Sequence, residues 1–191
     1  MDTFLIEGGK RLEGSLRVFG SKNAALPEMC AALLTNQPVT LRDVPNLADI
    51  KSLRNLLGEL GCIGEHSGPA GQAIMRLHTQ DESLEKSHAR YEIVRTMRAS
   101  ISTLGPMLAR RGFARVSMPG GCAIGARPID QHLKGFEALG ARVELHHGYV
   151  HMHVPAGRLR GADYRFDIPT VTGTENLLMA ASLAEGRTVL D

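Results

Sequence analysis

The sequence predicts an α/β protein assembled from repeated strand-and-helix units. Three observations carry this. Short strand patterns alternate with longer helical ones along all 191 residues. Glycine is abundant, at 21 residues, while aromatics make up 4% and tryptophan is absent, which suits a glycine-punctuated α/β chain better than an aromatic-centred sandwich. One pattern also recurs: Ile50, Leu57, Leu60 and Gly61 are matched by Ile129, Phe136, Leu139 and Gly140, and "CAALLTNQPVTL" by "MAASLAEGRTVL". A period of roughly 75 residues is one unit of strands and two helices, repeated so that neighbours share a core.

In chain order, FLIEG and SLRVFG read as strands. A helix follows from Ala24, with Leu26, Met29, Cys30, Leu33 and Leu34 on one face and Pro27 in its first turn. After the strand VTLRDV, Asp49 is a candidate cap for a helix striped by Ile50, Leu53, Leu57 and Leu60 and stopped at Gly61. AIMRLH is the next strand. ASISTLGPMLARRG is helical through Ile101, Leu104 and Leu108 and stops near Gly112, before the strand ARVSMP. IDQHLKGFEALG repeats the earlier stripe and stops at Gly140, and RVELHH and YVHMHV form a hairpin. Thr172 and Glu175 make a capping box ahead of NLLMAASLAEG, and RTVL is the last strand. The chain stops soon after that strand with no closing element, so the expectation is a truncated piece of a longer protein.

Lys and Arg number 22 against 20 Asp and Glu, a net charge of +2 with the signs interspersed. No basic run with aromatic interleaving is present, which argues against nucleic-acid binding. The first residues lack a signal-peptide pattern and no apolar run is long enough to span a membrane, so a soluble cytoplasmic protein is expected. Three widely spaced cysteines, Cys30, Cys62 and Cys122, fit neither a disulfide framework nor a CxxC zinc site, and suit a reducing compartment.

Cys30 lies on an apolar helical stripe and Cys62 opens a strand, so both read as core residues. Cys122 differs. In "MPGGCAIGARPID", Gly120, Gly121 and Gly125 cannot wall it into a core. A glycine loop lets a side chain swing onto a substrate and leave again. Arg127, always charged, would favour the thiolate or hold an anion beside it. Spacing alone leaves an inert, exposed loop cysteine open as well. The stretch is neither a Walker A loop nor a dinucleotide fingerprint. Lys22 in "GSKNAAL" stands where a helix begins, a natural anion site with Asn23 beside it, though a solvated lysine with Asn23 as a cap is the plainer reading. Arg98 reads as a surface arginine. His146, His147, His151 and His153 read as a solvated hairpin face, not a metal site.

Taken together, "SKNAALP", "TMRASI", "MPGGCAIGARPID" and "TENLLMAASLAEG" resemble the UDP-N-acetylglucosamine 1-carboxyvinyltransferase family, the enolpyruvyl transferases that begin peptidoglycan precursor synthesis. The glycine-loop stretch is the most specific of the four. The resemblance covers the whole chain but only about the first half of the family's length. It implies an inside-out α/β barrel of repeated strand-and-helix units in two domains. Residues 1–20 would be strands of the second domain, and residues 21–191 most of the domain that carries the cysteine loop, incomplete at its C-terminal end.

The resemblance also implies a reaction. Phosphoenolpyruvate gives its enolpyruvyl group to the 3-hydroxyl of UDP-N-acetylglucosamine by addition and elimination, and phosphate leaves. No metal or organic cofactor is required. Cys122 would be the proton donor and could add covalently to C2 of phosphoenolpyruvate. Lys22 and Arg127 would hold the phosphate, and Asn23 would contact the intermediate and the sugar. Arg98, the run Arg127, Pro128, Ile129, Asp130, Gln131, and the loop Thr170, Val171, Thr172 would face the UDP-sugar. The family usually has Ser-Val-Gly in that loop, so Thr172 adds a side chain where backbone could approach the diphosphate. The aspartate that serves as base and the arginines that close over phosphoenolpyruvate belong to the family's second half. The sister transferase acting on shikimate 3-phosphate lacks the cysteine loop. The competing reading from another class is a non-catalytic UDP-sugar-binding module with the same fold.

Overall fold

The periodicities become elements in a computed structural model that describes residues 3–69, 71–94, 97–118 and 129–191, apart from the side chain of Arg98. The order begins with helix α1 (Lys22–Ala31), which runs into a 3-10 turn (Ala32–Leu34), then β1 (Val39–Arg42), α2 (Ala48–Glu59) and the hairpin β2 (Cys62–Ser67) and β3 (Ile74–Thr79). A 3-10 turn (Glu85–Ser87) and the short β4 (His88–Ala89) and α3 (Tyr91–Val94) lead to a 3-10 segment (Arg98–Thr103) and α4 (Leu104–Arg111). The pattern then repeats with β5 (Phe113–Ser117), α5 (Asp130–Ala138) and the hairpin β6 (Arg142–His146) and β7 (Tyr149–His153). A third unit follows β8 (Asp163–Tyr164), with α6 (Val171–Ala181) and β9 (Val189–Leu190).

The sheets show how the repeat works. The first has the order β1-β3-β2, and the second has its equivalent, β5-β7-β6, with β4 added beside β5. That added strand is parallel, as is the pair β8 and β9. Each unit therefore hands its last strand to the sheet of the next one, which is how neighbouring repeats share structure. The β6–β7 hairpin turns at His147 (φ 48°) and Gly148 (φ 77°), the left-handed pair that matches strand twist. Sheet strands alternate buried and open positions, so one face of each sheet is turned to the helices and the other outward. Among the described residues the helices and the inward side chains of the strands share one core, and the three sheets close no barrel.

Two expected strands do not form. FLIEG and SLRVFG carry no regular structure, and Phe4, Leu5, Ile6, Leu12, Leu16 and Val18 are each 83–94% exposed. Alternation is a strand signal only where another strand supplies hydrogen bonds, and no described strand pairs with them. The helix expected over ASISTLGPMLARRG also differs, since its first part is 3-10 and only Leu104 onward is α-helical. Its end is as expected, with Gly112 left-handed (φ 70°) and donating to Leu108 O.

Helix α6 is the hub of the helical layer, packed on α4 and α5. A Cβ at Gly105 of α4 would collide with the Asn176 backbone, and one at Gly135 of α5 with the Leu177 side chain, so both helices approach α6 closely. Asn176 is fully buried. Its Oδ1 accepts from Gly105 N at 2.8 Å, while Nδ2 donates to Ile101 O at 3.0 Å and contacts His132 Nδ1 at 3.1 Å. Asn176→Ala strands these core groups, so an expected loss of about 3 kcal/mol follows from the usual cost of unpaired buried polar groups. Denaturant unfolding checks it, with the exposed Asn36→Ala as a near-neutral control.

The second sheet carries a row of basic side chains. His88 pairs in register with Arg115, and Arg115 with His151. The Arg115 guanidinium sits 4.5 Å over the Tyr149 ring. Burial, and then the charge of Arg115, hold both histidines below their ordinary value of 6.5. A depressed folded pKa means the unfolded chain binds more protons on the acid side. Their contribution is therefore complete above about 6.5 and is lost as the pH falls toward the folded values. The unfolding midpoint is expected to drop between pH 7.5 and 5 more in the wild type than in His88→Gln/His151→Gln. Parallel profiles would remove the assignment.

Candidate active site

Two segments far apart in sequence form the walls of one cleft. On the first wall, the Arg17 guanidinium binds both oxygens of Asp43, at 3.0 and 2.9 Å, and Gly20 passes so close to the Asp43 carbonyl that no Cβ would fit. This strap sets the entry to α1. Ser21 is extended and its hydroxyl accepts from Ala24 N at 3.4 Å, so the helix begins at Lys22 instead of Ala24. Lys22 and Asn23 are thereby both in the first turn. Pro27 consequently lies deeper in the helix than expected. It has no N–H to give, so the Asn23 carbonyl loses its helical donor.

On the second wall, Thr170 is the cap of α6. It is extended, its Oγ1 accepts from Gly173 N at 3.1 Å, and its carbonyl accepts from Thr174 Oγ1 at 2.7 Å. The expected Thr172–Glu175 capping box is therefore displaced. Two threonines lie two residues apart, and the earlier one reaches a free N–H first. Thr172 becomes an exposed first-turn residue. The cleft, about 520 Å³, is lined by Asn23 and Pro27, by Ser102, and by Thr170, Thr172 and Glu175. Burial pushes the Glu175 carboxyl up. A neighbouring cavity of about 770 Å³ shares Thr170, Val171 and Glu175 and reaches Phe166 and Asp167. A larger groove of about 840 Å³ between α2 and β2, lined by Arg54, Glu59 and His66 among others, holds none of the expected site residues.

The start of α5 is tied to the second wall. Ile129 is buried and Asp130 exposed, while Gln131 is buried and its side chain is engaged. Gln131 Nε2 donates to Asp167 Oδ2 at 2.9 Å and to Asp130 Oδ2 at 3.2 Å, and its Oε1 accepts from Asp167 N at 2.9 Å. Lys134 adds a 2.5 Å bond to Asp167. The bonds from Lys134 and Gln131 hold the Asp167 carboxyl below its usual range. This clamp fixes the run Ile129–Gln131 relative to Thr170–Thr172.

Lys22 is paired. Its ammonium lies 2.6 Å from Asp49 Oδ2. Asp49 is thus not the expected cap of α2, which starts at Ala48 after Leu47, a residue with no capping side chain. Sequence reasoning missed Asp49, Ser102 and Glu175 as site neighbours. Arg98 opens its 3-10 segment. Cys122, Arg127 and Pro128 lie outside the described residues. Cys30 and Cys62 are free and buried as expected, and burial pushes both thiols up. Among the described residues no group of three or more His, Cys, Asp or Glu could hold a metal, and no helix is long and apolar enough to cross a membrane.

A sequence profile of the family described as EPSP synthase (3-phosphoshikimate 1-carboxyvinyltransferase) matches residues 6–191. The UDP-N-acetylglucosamine 1-carboxyvinyltransferase of Anaeromyxobacter dehalogenans is 56% identical over 190 residues, covering 100% of this chain and 44% of its own length. That of Acinetobacter baylyi is 54% identical with the same coverage. The chain thus spans less than half the length of these relatives. Among solved structures, the enolpyruvyl transferase NikO from Streptomyces tendae matches with a TM-score of 0.74 at 20% identity, over 96% of this chain and 42% of that one. An EPSP synthase from Acinetobacter baumannii matches with a TM-score of 0.69 at 16% identity, over 93% and 40%. At these identities the structures speak for the fold alone.

Proposed function

Because the chain belongs to the EPSP synthase (3-phosphoshikimate 1-carboxyvinyltransferase) family, we propose that the protein carrying it transfers the enolpyruvyl group of phosphoenolpyruvate to the 3-hydroxyl of UDP-N-acetylglucosamine and releases phosphate. This is the first committed step of peptidoglycan precursor synthesis, carried out in the cytoplasm. The observation that carries the reading is the cleft in which Asn23 of one motif faces Thr170 and Thr172 of another. Relatives 54–56% identical across the whole chain are named for that acceptor, which favours it over shikimate 3-phosphate.

In this reading Cys122 protonates the methylene carbon of phosphoenolpyruvate, and C2 becomes electrophilic. The sugar hydroxyl adds to C2 and gives its proton to the base that the resemblance places in the family's second half. The Cys122 thiolate can add to C2 first, reversibly, and leaves before the sugar adds. Elimination then breaks the C2–O bond to phosphate, returns the methylene proton and restores the double bond. Lys22 and Arg127 hold the phosphate by charge-assisted hydrogen bonds, and Asn23 contacts the intermediate. Arg98, Arg127, Pro128, Ile129, Asp130 and Gln131, with Thr170, Val171 and Thr172, face the UDP-sugar. At Gln131 the side chain is committed to Asp167. No cofactor takes part.

Residues 1–20 would be strands of a second domain, and residues 21–191 most of the cysteine-loop domain. The bare apolar side chains from Phe4 to Val18 support this, since a partner sheet would cover them. The complete gene product, assayed for phosphate release from phosphoenolpyruvate, should depend on UDP-N-acetylglucosamine. Binding of the UDP-sugar without phosphate release would favour a non-catalytic module instead.

A further inference from the structure

The cation assigned to the phosphate has a carboxylate partner. Lys22 is the first residue of α1 and Asp49 the second of α2, and their side chains meet at 2.6 Å while each stays about two-fifths exposed. An exposed ion pair contributes little to stability as a rule. The placement of this one is unusual. A lysine in the first turn faces the positive end of its own helix dipole, where a cation is unfavourable, whereas an aspartate in the first turn of α2 is favoured. Stability alone therefore gives no reason for Lys22, and Asp49 supplies the counter-charge that lets it stay.

The backbone on the lysine side is fixed independently, by the contact of Gly20 with Asp43, the Arg17–Asp43 pair and the Ser21 cap. The remaining freedom is in the four-carbon stem of Lys22, whose rotamer entropy is lost when an anion orders it. A partner that already holds the ammonium removes part of that cost. An ammonium has three N–H donors, so one held on Asp49 leaves two for a ligand.

We infer that Asp49 is a positioning residue for anion capture, holding the ammonium of Lys22, the chain neighbour of the cleft-lining Asn23. This rests on the reading of Lys22 as the phosphate-binding cation. Asp49 touches no reacting atom, so its effect lies in binding phosphoenolpyruvate and not in the chemical step.

The test is steady-state kinetics on the complete gene product. Asp49→Asn is expected to raise KM for phosphoenolpyruvate about tenfold and change kcat less than threefold, with KM for the UDP-sugar unchanged. Asp49→Glu should recover most of the loss. In a Lys22→Ala background, Asp49→Asn should add nothing, because the residue it positions is gone. A wild-type KM in Lys22→Ala removes the phosphate reading of Lys22 and this inference with it. A raised KM in Lys22→Ala beside a wild-type KM in Asp49→Asn overturns the inference alone. So does a fall in kcat that tracks a lowered melting temperature in Asp49→Asn, which would make the pair merely structural.

Discussion

Replacing Cys122 by alanine in the complete gene product is expected to abolish steady phosphate release, while Cys30→Ala leaves turnover near the wild-type level. A positioned acid contributes on the order of 10²–10⁴-fold, and the loss should be at least that large, because the same thiol is also the candidate covalent group. The contrast with Cys30 is physical. Cys30 is fully buried, on the face of α1 that packs into the core. Burial drives its thiol far above the ordinary range, so it stays protonated and unreactive. Cys62 is buried as well and its thiol is also pushed up. Losing the Cys30 sulfur should cost on the order of 1 kcal/mol through packing. Wild-type turnover in Cys122→Ala would sink the acid assignment, and a stability loss without an activity loss in Cys30→Ala completes the contrast.

The same comparison predicts the pattern of chemical labelling. An epoxide phosphonate that mimics phosphoenolpyruvate needs a cationic site for its head and a thiolate for its ring. Neither buried cysteine offers both.

Core positions were legible where one periodicity governs one face. Ile50, Leu53 and Leu57 of α2 are all buried, as their spacing requires. The β6–β7 hairpin followed from alternation around a glycine. Helix starts were harder, because neighbouring residues compete for the same cap. Ser21 and Thr170 won over Asn23 and Thr172 by reaching an N–H that the others could not. Contacts between distant residues were not legible at all. Nothing local joins Lys22 to Asp49, or Asn176 to Gly105, and each is created by helices meeting in the fold. The strand patterns before Ser21 show the opposite failure, where local alternation was present and no described strand pairs with it. Of the candidate site residues, spacing marked Lys22 and Cys122, but only the family resemblance pointed to Thr170–Thr172.

The 191-residue chain by itself is expected to show no sustained turnover. The proposed reaction needs an acid and a base on opposite sides of bound substrates, brought together by closure of two domains. This chain carries Cys122, Lys22 and Arg127. By the family resemblance, the aspartate that takes the sugar proton and the arginines that close over phosphoenolpyruvate belong to the part of the relatives that it does not span. Losing the closing groups removes the effective-molarity gain, which alone reaches ~10⁵ M or more in well-oriented systems. Weak binding of the UDP-sugar should survive, because Asn23, Thr170 and Thr172 already share a preformed cleft. The 191-residue chain should also associate, since Phe4, Leu5, Ile6 and Leu12 stand almost fully exposed on it. Calorimetric titration with the UDP-sugar, light scattering and the phosphate-release assay on the purified 191-residue chain check the three parts. Sustained phosphate release that survives removal of any full-length contaminant would place the catalytic base within these 191 residues, and Glu175, partly buried at the cleft with its carboxyl pushed up, would then be the first group to replace.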